Sequence, residues 1–321
     1  MLPRWTRYLL FAATAWSALA GAQTFPAKPL RIVVPFGAGG VADLTARTVA
    51  QRLGESLGQP VTIDNKPGAG GVAASDAVAK AAPDGYTLLL MSNASAVTAG
   101  LFKSLPFDTL RDFAPISTLG TFDIAILTSA ESKFKTLPEL LAQAKAHPGQ
   151  LNIGTINIGS TQNLVAELFK SSAGVDAQIV PFNGSPAVIT ALRGGQIDAA
   201  VEILAPVMSQ VQSKNLRVLA VTGDKRSPML PDVPTAKELG LPGLVASSWN
   251  ALAAPAKTPP AVLARLNKDI VAALQAPDIQ KKLMALNVSA QPSSAEQARQ
   301  LLTSEIQRWG AVIVRAKIPQ P

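Results

Sequence analysis

Short apolar blocks alternate along this chain with longer amphipathic stretches, and small uncharged residues fill the joints between them. Leu30 to Val34 predicts a strand, and Val41 to about Leu57 carries apolar positions at helical spacing. Phe36, Gly37, Ala38, Gly39 and Gly40 join the two without a single charge. Where a strand feeds a helix in this way, the first helical N–H groups have no intrahelical acceptor, and glycines let another molecule approach the main chain. This joint is therefore predicted to seat an anion, a carboxylate or a phosphate.

The rhythm continues. Val61 to Asp64 reads as a strand, Asn65 to Gly71 as a second glycine-rich turn, Val72 to Ala81 as a helix, and Tyr86 to Met91 as a third strand that ends in the polar turn Ser92-Asn93-Ala94-Ser95. Strand-helix-strand repetition implies a parallel-rich sheet flanked by helices, and ligands bind such sheets beyond the carboxyl ends of the strands. Ala114 to Leu119 and Asp123 to Leu127 read as two short apolar pieces separated by Gly120 and Thr121, where the chain leaves a first domain for a second.

The second domain is predicted to repeat the device. Thr136-Leu137-Pro138-Glu139 is a capping box, and Leu151 to Thr155 is a strand followed by the turn Asn157-Ile158-Gly159-Ser160 and a helix from Gln162 to Ala173. Gln178 to Val180 and Ile197 to Val201 are further strands, with Glu202 at the end of the latter, and Leu216 to Val221 closes the domain. The return passes a short helix capped by Thr235 and Glu238 and a strand around Ser247 to Ala251, read as a second crossover. A helix opened by Thr258-Pro259-Pro260 follows, then a final long helix behind the box Ser293-Ser294-Ala295-Glu296. The expected architecture is an α/β clam shell with two crossover strands at the hinge. Residues 23–123 plus 247–321 form domain 1 and residues 124–246 form domain 2.

Composition narrows the chemistry. The 321 residues suffice for two cores, and with no cysteine and one histidine, His147, the chain lacks thiolate sites and the makings of a Ser-His-Asp triad. No site for a cofactor or a metal is expected. Arg4 and Arg7 ahead of an apolar run that ends in small residues mark residues 1–22 as an export leader, with Gln23 as the expected mature start and the periplasm as destination. Losing the leader's two arginines lowers the formal charge from +8 to +6. The remaining excess is scattered, with no basic stripe of the kind nucleic-acid binding needs. One rival reading is local: Gly37-Ala38-Gly39-Gly40-Val41-Ala42 fits the dinucleotide fingerprint, and Asp64 ends the next strand where a ribose-binding acid belongs. Export and the missing acid–base partner argue against a Rossmann-type enzyme.

Taken together, Arg31 to Phe36 with Gly39, Gly40 and Asp43, the turn Asn65 to Gly71, Ala82-Pro83-Asp84-Gly85-Tyr86, Lys225-Arg226-Ser227-Pro228 with Leu230 to Thr235, and Ser248-Trp249 resemble the substrate-binding receptors of tripartite tricarboxylate transporters, the Bug family. The resemblance covers essentially the whole mature chain. It implies a periplasmic, monomeric, non-enzymatic receptor with the type II binding-protein fold, whose partners are a small carboxylate solute and a membrane permease or a sensor kinase. Carried onto these residues, one pincer is Phe36 to Gly40, the other runs from Thr155 through Asn157 and Gly159 to Ser160, and Ser92 and Asn93 line the wall. Against that family's usual pattern, Asn157, Asn163, Glu202 and Asn250 are departures. Their polarity points to a hydrogen-bonding group at the far end of the solute, and Glu202 would repel a second carboxylate unless protonated, bridged by water or facing a hydroxyl or ammonium.

Overall fold

The computed structural model describes residues 25–156, 158, 160–315, 318 and 320. The expected leader over 1–22 and the start at Gln23 lie outside the described residues, as do Asn157 and Gly159.

The first lobe is built on β1 (Leu30–Val34), α1 (Val41–Leu57), β2 (Val61–Asn65), α2 (Val72–Ala79), β3 (Thr87–Ser92) and α3 (Asn93–Leu101). β1 lies between β2 and β3 and is parallel to both. Strand alternation sorts the core into two faces. Leu30, Ile32 and Val34 of β1 join Leu88 and Leu90 of β3 under Val49 and Leu53 of α1, whereas Val33, Leu89 and Met91 turn the other way, to Val78 of α2 and Val97 of α3. Each such buried aliphatic contributes about 1.5–3 kcal/mol. α1 stops where Gly58 takes the left-handed conformation (φ 65°), which a side chain would disfavour.

β4 (Phe113–Ser129) is one continuous strand, not the two pieces that Gly120 suggested. Its first part pairs antiparallel with β9 (Ser247–Pro255) as far as Asp123 opposite Ser247, and from Ile124 onward its partners belong to the second lobe. Gly120 does not break the strand; it makes room. A Cβ there would lie 2.6 Å from Val288 Cγ1 and 2.7 Å from the Ser289 carbonyl oxygen, because β10 (Ser289–Ala290) crosses β4 at that point.

The second lobe holds α4 (Leu137–Ala146), β5 (Asn152–Ile156), α5 (Thr161–Ala173), β6 (Gln178–Phe182), α6 (Ser185–Arg193), β7 (Ala199–Ile203), α7 (Leu204–Gln212) and β8 (Leu216–Val221). Its strands run β6-β5-β7-β4, with β8 on the other side of β4, while β2-β1-β3-β9-β4 forms the first lobe's sheet. Thr136 and Glu139 close the expected capping box on α4. Thr235 and Glu238 exchange the expected reciprocal hydrogen bonds, but they close a turn over 236–240 and no helix follows.

After β9 come α8 (Pro260–Gln275), α9 (Pro277–Ala285), which was not expected from the sequence, and α10 (Ala295–Arg315). Ser294 and Gln297, one residue along from the predicted pair, form the box at the head of α10. α10 packs against α3 and α5, and its fully buried Trp309 donates to Asn93 Oδ1 and to Glu305 Oε2, each at 2.8 Å.

Candidate functional site

The glycine joint after β1 is held by a carboxylate. Asp43, in the first turn of α1 and fully buried, accepts from the Gly39 N–H at 2.8 Å, from Arg47 Nε at 3.0 and 3.1 Å, and from Asn65 Nδ2 at 2.9 Å. Asn65 Nδ2 also donates to the Phe36 carbonyl at 3.0 Å, so both ends of the turn are tied to one acid. Burial pushes the Asp43 carboxyl up, but the hydrogen bonds from Arg47, Gly39 and Asn65 outweigh it and hold the group below the usual carboxylate range. Gly39 at φ 83° occupies backbone space that suits glycine.

That turn faces a cleft of about 480 Å³. Five helices begin on its wall: α1 at Gly40–Ala42, α3 at Ser92–Ala94, α5 at Ser160–Gln162, α6 at Ser185 and α7 at Ile203–Ala205. Ser92 caps α3 and Ser160 caps α5 through their hydroxyls. Each start presents N–H groups without intrahelical acceptors and the positive end of a helix dipole. A single helix end of the opposite sense, that of α9 at Ala285–Asn287, completes the rim. Among the described residues no Asp, Glu, Lys, Arg or His stands in the lining, and Phe36, Phe122, Ile156, Ile203 and Leu286 make most of the rest apolar. The arrangement can strip an anion of water and return hydrogen bonds from neutral dipoles, with the apolar walls excluding competing solvent.

Of the residues singled out from sequence, Phe36, Gly39, Gly40, Ser92 and Ser160 meet on this cleft, with Gly37 and Ala38 in the same turn but off its lining. Asn93 and Thr155 are fully buried behind it. Asn93 accepts from Trp309 and donates towards Thr161 Oγ1 at 3.5 Å across the lobes, and Thr155 Oγ1 accepts from Asn163 at 3.3 Å. Asn163 thus serves the wall rather than the cleft, while Asn250 does line it.

Glu202 sits one layer back. Its Oε2 accepts from Gln162 Nε2 at 3.3 Å, Ser185 Oγ at 3.0 Å and the Ile203 N–H at 3.2 Å, and both Gln162 and Ser185 line the cleft. Burial drives its carboxyl up to about 7 against the lowering effect of those three bonds. Ionising it therefore costs folding free energy as pH rises from the ordinary carboxyl range through about 7.

Gln162, Ser185 and the start of α7 were not selected as site residues from sequence. Ser185 had the signal of a polar turn behind a strand, but β7 runs into α7 at Leu204 with no glycine or hydroxyl cap to mark the change. Asp64, the acid the dinucleotide reading needed, lies away from the cleft and meets Arg31 at 3.5 Å and Lys66 at 3.7 Å.

Comparison with known proteins identifies the family and the fold. Residues 45–318 match the model of the tripartite tricarboxylate transporter family receptor. The chain is 39% identical to Protein BugT of Bordetella pertussis (strain Tohama I) over 307 residues, covering 95% of this chain and 94% of that one. Among solved structures, R. palustris Rpa4515 with adipate superposes with a TM-score of 0.83 at 30% identity, covering 92% of this chain and 99% of that one. MatC from Rhodopseudomonas palustris with bound malate gives 0.80 at 32% identity, covering 90% and 100%. The two-lobed α/β fold is that of periplasmic binding proteins.

Proposed function

This chain belongs to the tripartite tricarboxylate transporter receptor family, and from that premise we propose that it captures a small carboxylate in the cleft between its lobes and hands it to a transporter permease in the membrane. The family is one of transporter receptors, not of enzymes, which removes the dinucleotide-dependent alternative. The expected leader places the mature chain, from Gln23, in the periplasm, and among the described residues no helix is long and apolar enough to cross a membrane. Its two domains are residues 23–123 with 247–321, and residues 124–246. Phe36, Gly37, Ala38, Gly39 and Gly40 form the first pincer, and the turn from Thr155 to Ser160 forms the second.

The observation that carries this reading is the convergence of five helix starts on a cleft with no charged residue among its described lining residues. One helix end contributes about 0.3–1 kcal/mol, and up to about 2 where partly buried, so several must act together to approach the roughly 8 kcal/mol of a micromolar complex. The malate and the adipate of the two solved relatives are small dicarboxylates, which fits a site of this size and polarity.

Thermal unfolding of the mature protein with a panel of mono-, di- and tricarboxylates tests the proposal. A solute that binds the folded form raises the midpoint, and the gain grows with the logarithm of its concentration over Kd. Ala42→Glu places a carboxylate in the first turn of α1, where the helix tolerates an acid but the cleft acquires a negative charge. The expected result is a concentration-dependent rise for at least one acid that this variant loses. No rise across the panel, or an unchanged rise in the variant, would remove the receptor reading.

A further inference from the structure

The second-lobe wall of the cleft is built around an acid that the solute does not touch directly. We propose that Glu202 sets which solutes this cleft accepts: through the Ser185 hydroxyl it shows the far end of the solute an acceptor while ionised and a donor while protonated. The cleft therefore favours carboxylates with a hydroxyl or ammonium at that end, and takes up a proton when the end is a second carboxylate. The inference rests on the carboxylate-receptor reading and refines the solute class of the same site.

Three observations carry it. First, the geometry is a relay. Ser185 Oγ spends its one donor on Glu202 Oε2 at 3.0 Å, beside one of the two N–H groups of Gln162 Nε2 at 3.3 Å, so with the acid ionised the Ser185 hydroxyl has only lone pairs left for the cleft. Protonating Glu202 reverses this, because the acid can then donate and the Ser185 hydroxyl is released to donate outward. Second, acceptors are in surplus around the cleft, one in each lobe. Glu202 Oε1 and Asn250 Oδ1 are both buried atoms that no donor reaches among the described residues. The Asn250 amide is oriented by its own chain: Nδ2 donates to the Trp249 carbonyl at 3.2 Å, which leaves the oxygen to look for a donor. A buried acceptor without a donor costs folding free energy, and at Asn250, which lines the cleft, a solute donor would repair it.

Third, nothing else neutralises the acid. Across the strand pair from Glu202 stands Ala125 of β4, and β5 and α7 carry no ionisable residue. The ionisable groups on the other elements packed around it are Asp123 of β4, Glu167 and Lys170 of α5 and Arg193 of α6. None of these is a hydrogen-bond or ion-pair partner of Glu202: Asp123 is hydrogen-bonded to Ser227, and Glu167 lies 4.0 Å from Lys170. With a carboxyl already pushed up to about 7 by burial, a dianion arriving beyond Ser185 raises it further, and binding is then linked to protonation.

The experiment compares acids matched in length that differ at one end: adipate with 6-hydroxyhexanoate, and succinate with 4-hydroxybutanoate. All are fully ionised above about pH 7. Calorimetric titrations of the mature protein at pH 7, 8 and 9, in two buffers of different ionisation enthalpy, read Kd and the number of protons exchanged. The expected result is that the dicarboxylate weakens by up to tenfold per pH unit and takes up as much as one proton, while the matched hydroxy acid shows neither effect. Glu202→Gln abolishes the pH slope for the dicarboxylate, and Ser185→Ala, which leaves the acid in place, lowers the preference for the hydroxy acid.

Because proton uptake is read on the unaltered protein, the test does not depend on either variant folding. A dicarboxylate that binds with the same Kd at all three pH values and exchanges no proton would overturn the inference while leaving the receptor reading intact. So would a slope retained by Glu202→Gln. If none of the four acids binds at any pH, this inference falls, while the receptor reading is decided separately by the thermal-unfolding panel.

Discussion

Asp43 governs the shape of the first pincer although it does not line the cleft. Its carboxylate collects the Gly39 N–H, Arg47 and Asn65, and Asn65 in turn holds the Phe36 carbonyl. Asp43→Ala takes the shared charged acceptor from the part-buried Gly39 N–H, Arg47 and Asn65, a loss of about 1–3 kcal/mol by denaturant unfolding, and it frees the turn that faces the cleft. The sign with pH follows from the cause. Because the folded-state carboxyl lies below its ordinary value, its contribution is complete above about pH 4 and disappears as pH falls through the lowered value. Urea titrations of the two proteins at pH 7 and at pH 3 check this: the gap in stability should be full at pH 7 and narrower at pH 3. Asp43 falls in the first turn of the helix that the sequence predicts from Val41, where a carboxylate favours the helix dipole. Its grip on Gly39 depends on Asn65, which β2 delivers only once it pairs with β1.

At the scale of elements, β4 and β10 show what a glycine in a strand stands for. The close approach of Val288 Cγ1 and the Ser289 carbonyl leaves no volume for a methyl group at Gly120, and the backbone atom has no rotamer by which to move aside. Gly120→Ala is expected to lower stability by about 1–3 kcal/mol as the β10 crossing is pushed off, measured by thermal or denaturant unfolding; an unchanged midpoint would mean that β10 adapts freely. The same position explains why the strand was read as two. A glycine inside an apolar run signals a break or a close backbone neighbour equally well, and only the neighbour, far away in sequence, decides between them. Elements with local punctuation were legible: β1 and α1 with their glycines at both ends, α4 with its Thr136–Glu139 box, and α5 behind Ser160. The turn expected at Ser92–Ser95 is instead the first turn of α3, since Ser92 and Ser95 cap reciprocally and the helix starts without a loop. Site residues followed the same divide. Ser92 and Ser160 stand at marked strand ends, whereas Gln162 is defined by its bond to Glu202, a partner 40 residues away.

For the molecule as a whole, the route between the lobes is narrow: β4 passes from one sheet to the other between Asp123 and Ile124, and β9 enters the first sheet at Ser247, opposite that switch. Side chains alternate across this ribbon. Phe122, Ser248 and Asn250 face the cleft, while Thr121, Ser247 and Trp249 border a second hollow on the opposite face. Closure of the lobes around a solute must bend the ribbon, so it changes the packing of Trp249, which is paired with Thr121 two residues from the switch. Trp309 is placed differently, anchored within α10 by its bonds to Asn93 and Glu305. Trp5 and Trp16 belong to the expected leader, so the mature chain carries only these two indoles and can report on closure without a label. Trp309→Phe, which leaves Trp249 as the sole emitter, should show a saturable change in fluorescence with any carboxylate that raises the unfolding midpoint, and at the same half-saturating concentration. Trp249→Phe should respond far less. If both variants respond equally, or if Trp249 stays silent while the solute binds, the solute is held without bending at β4 and β9, and capture runs through the pincers alone.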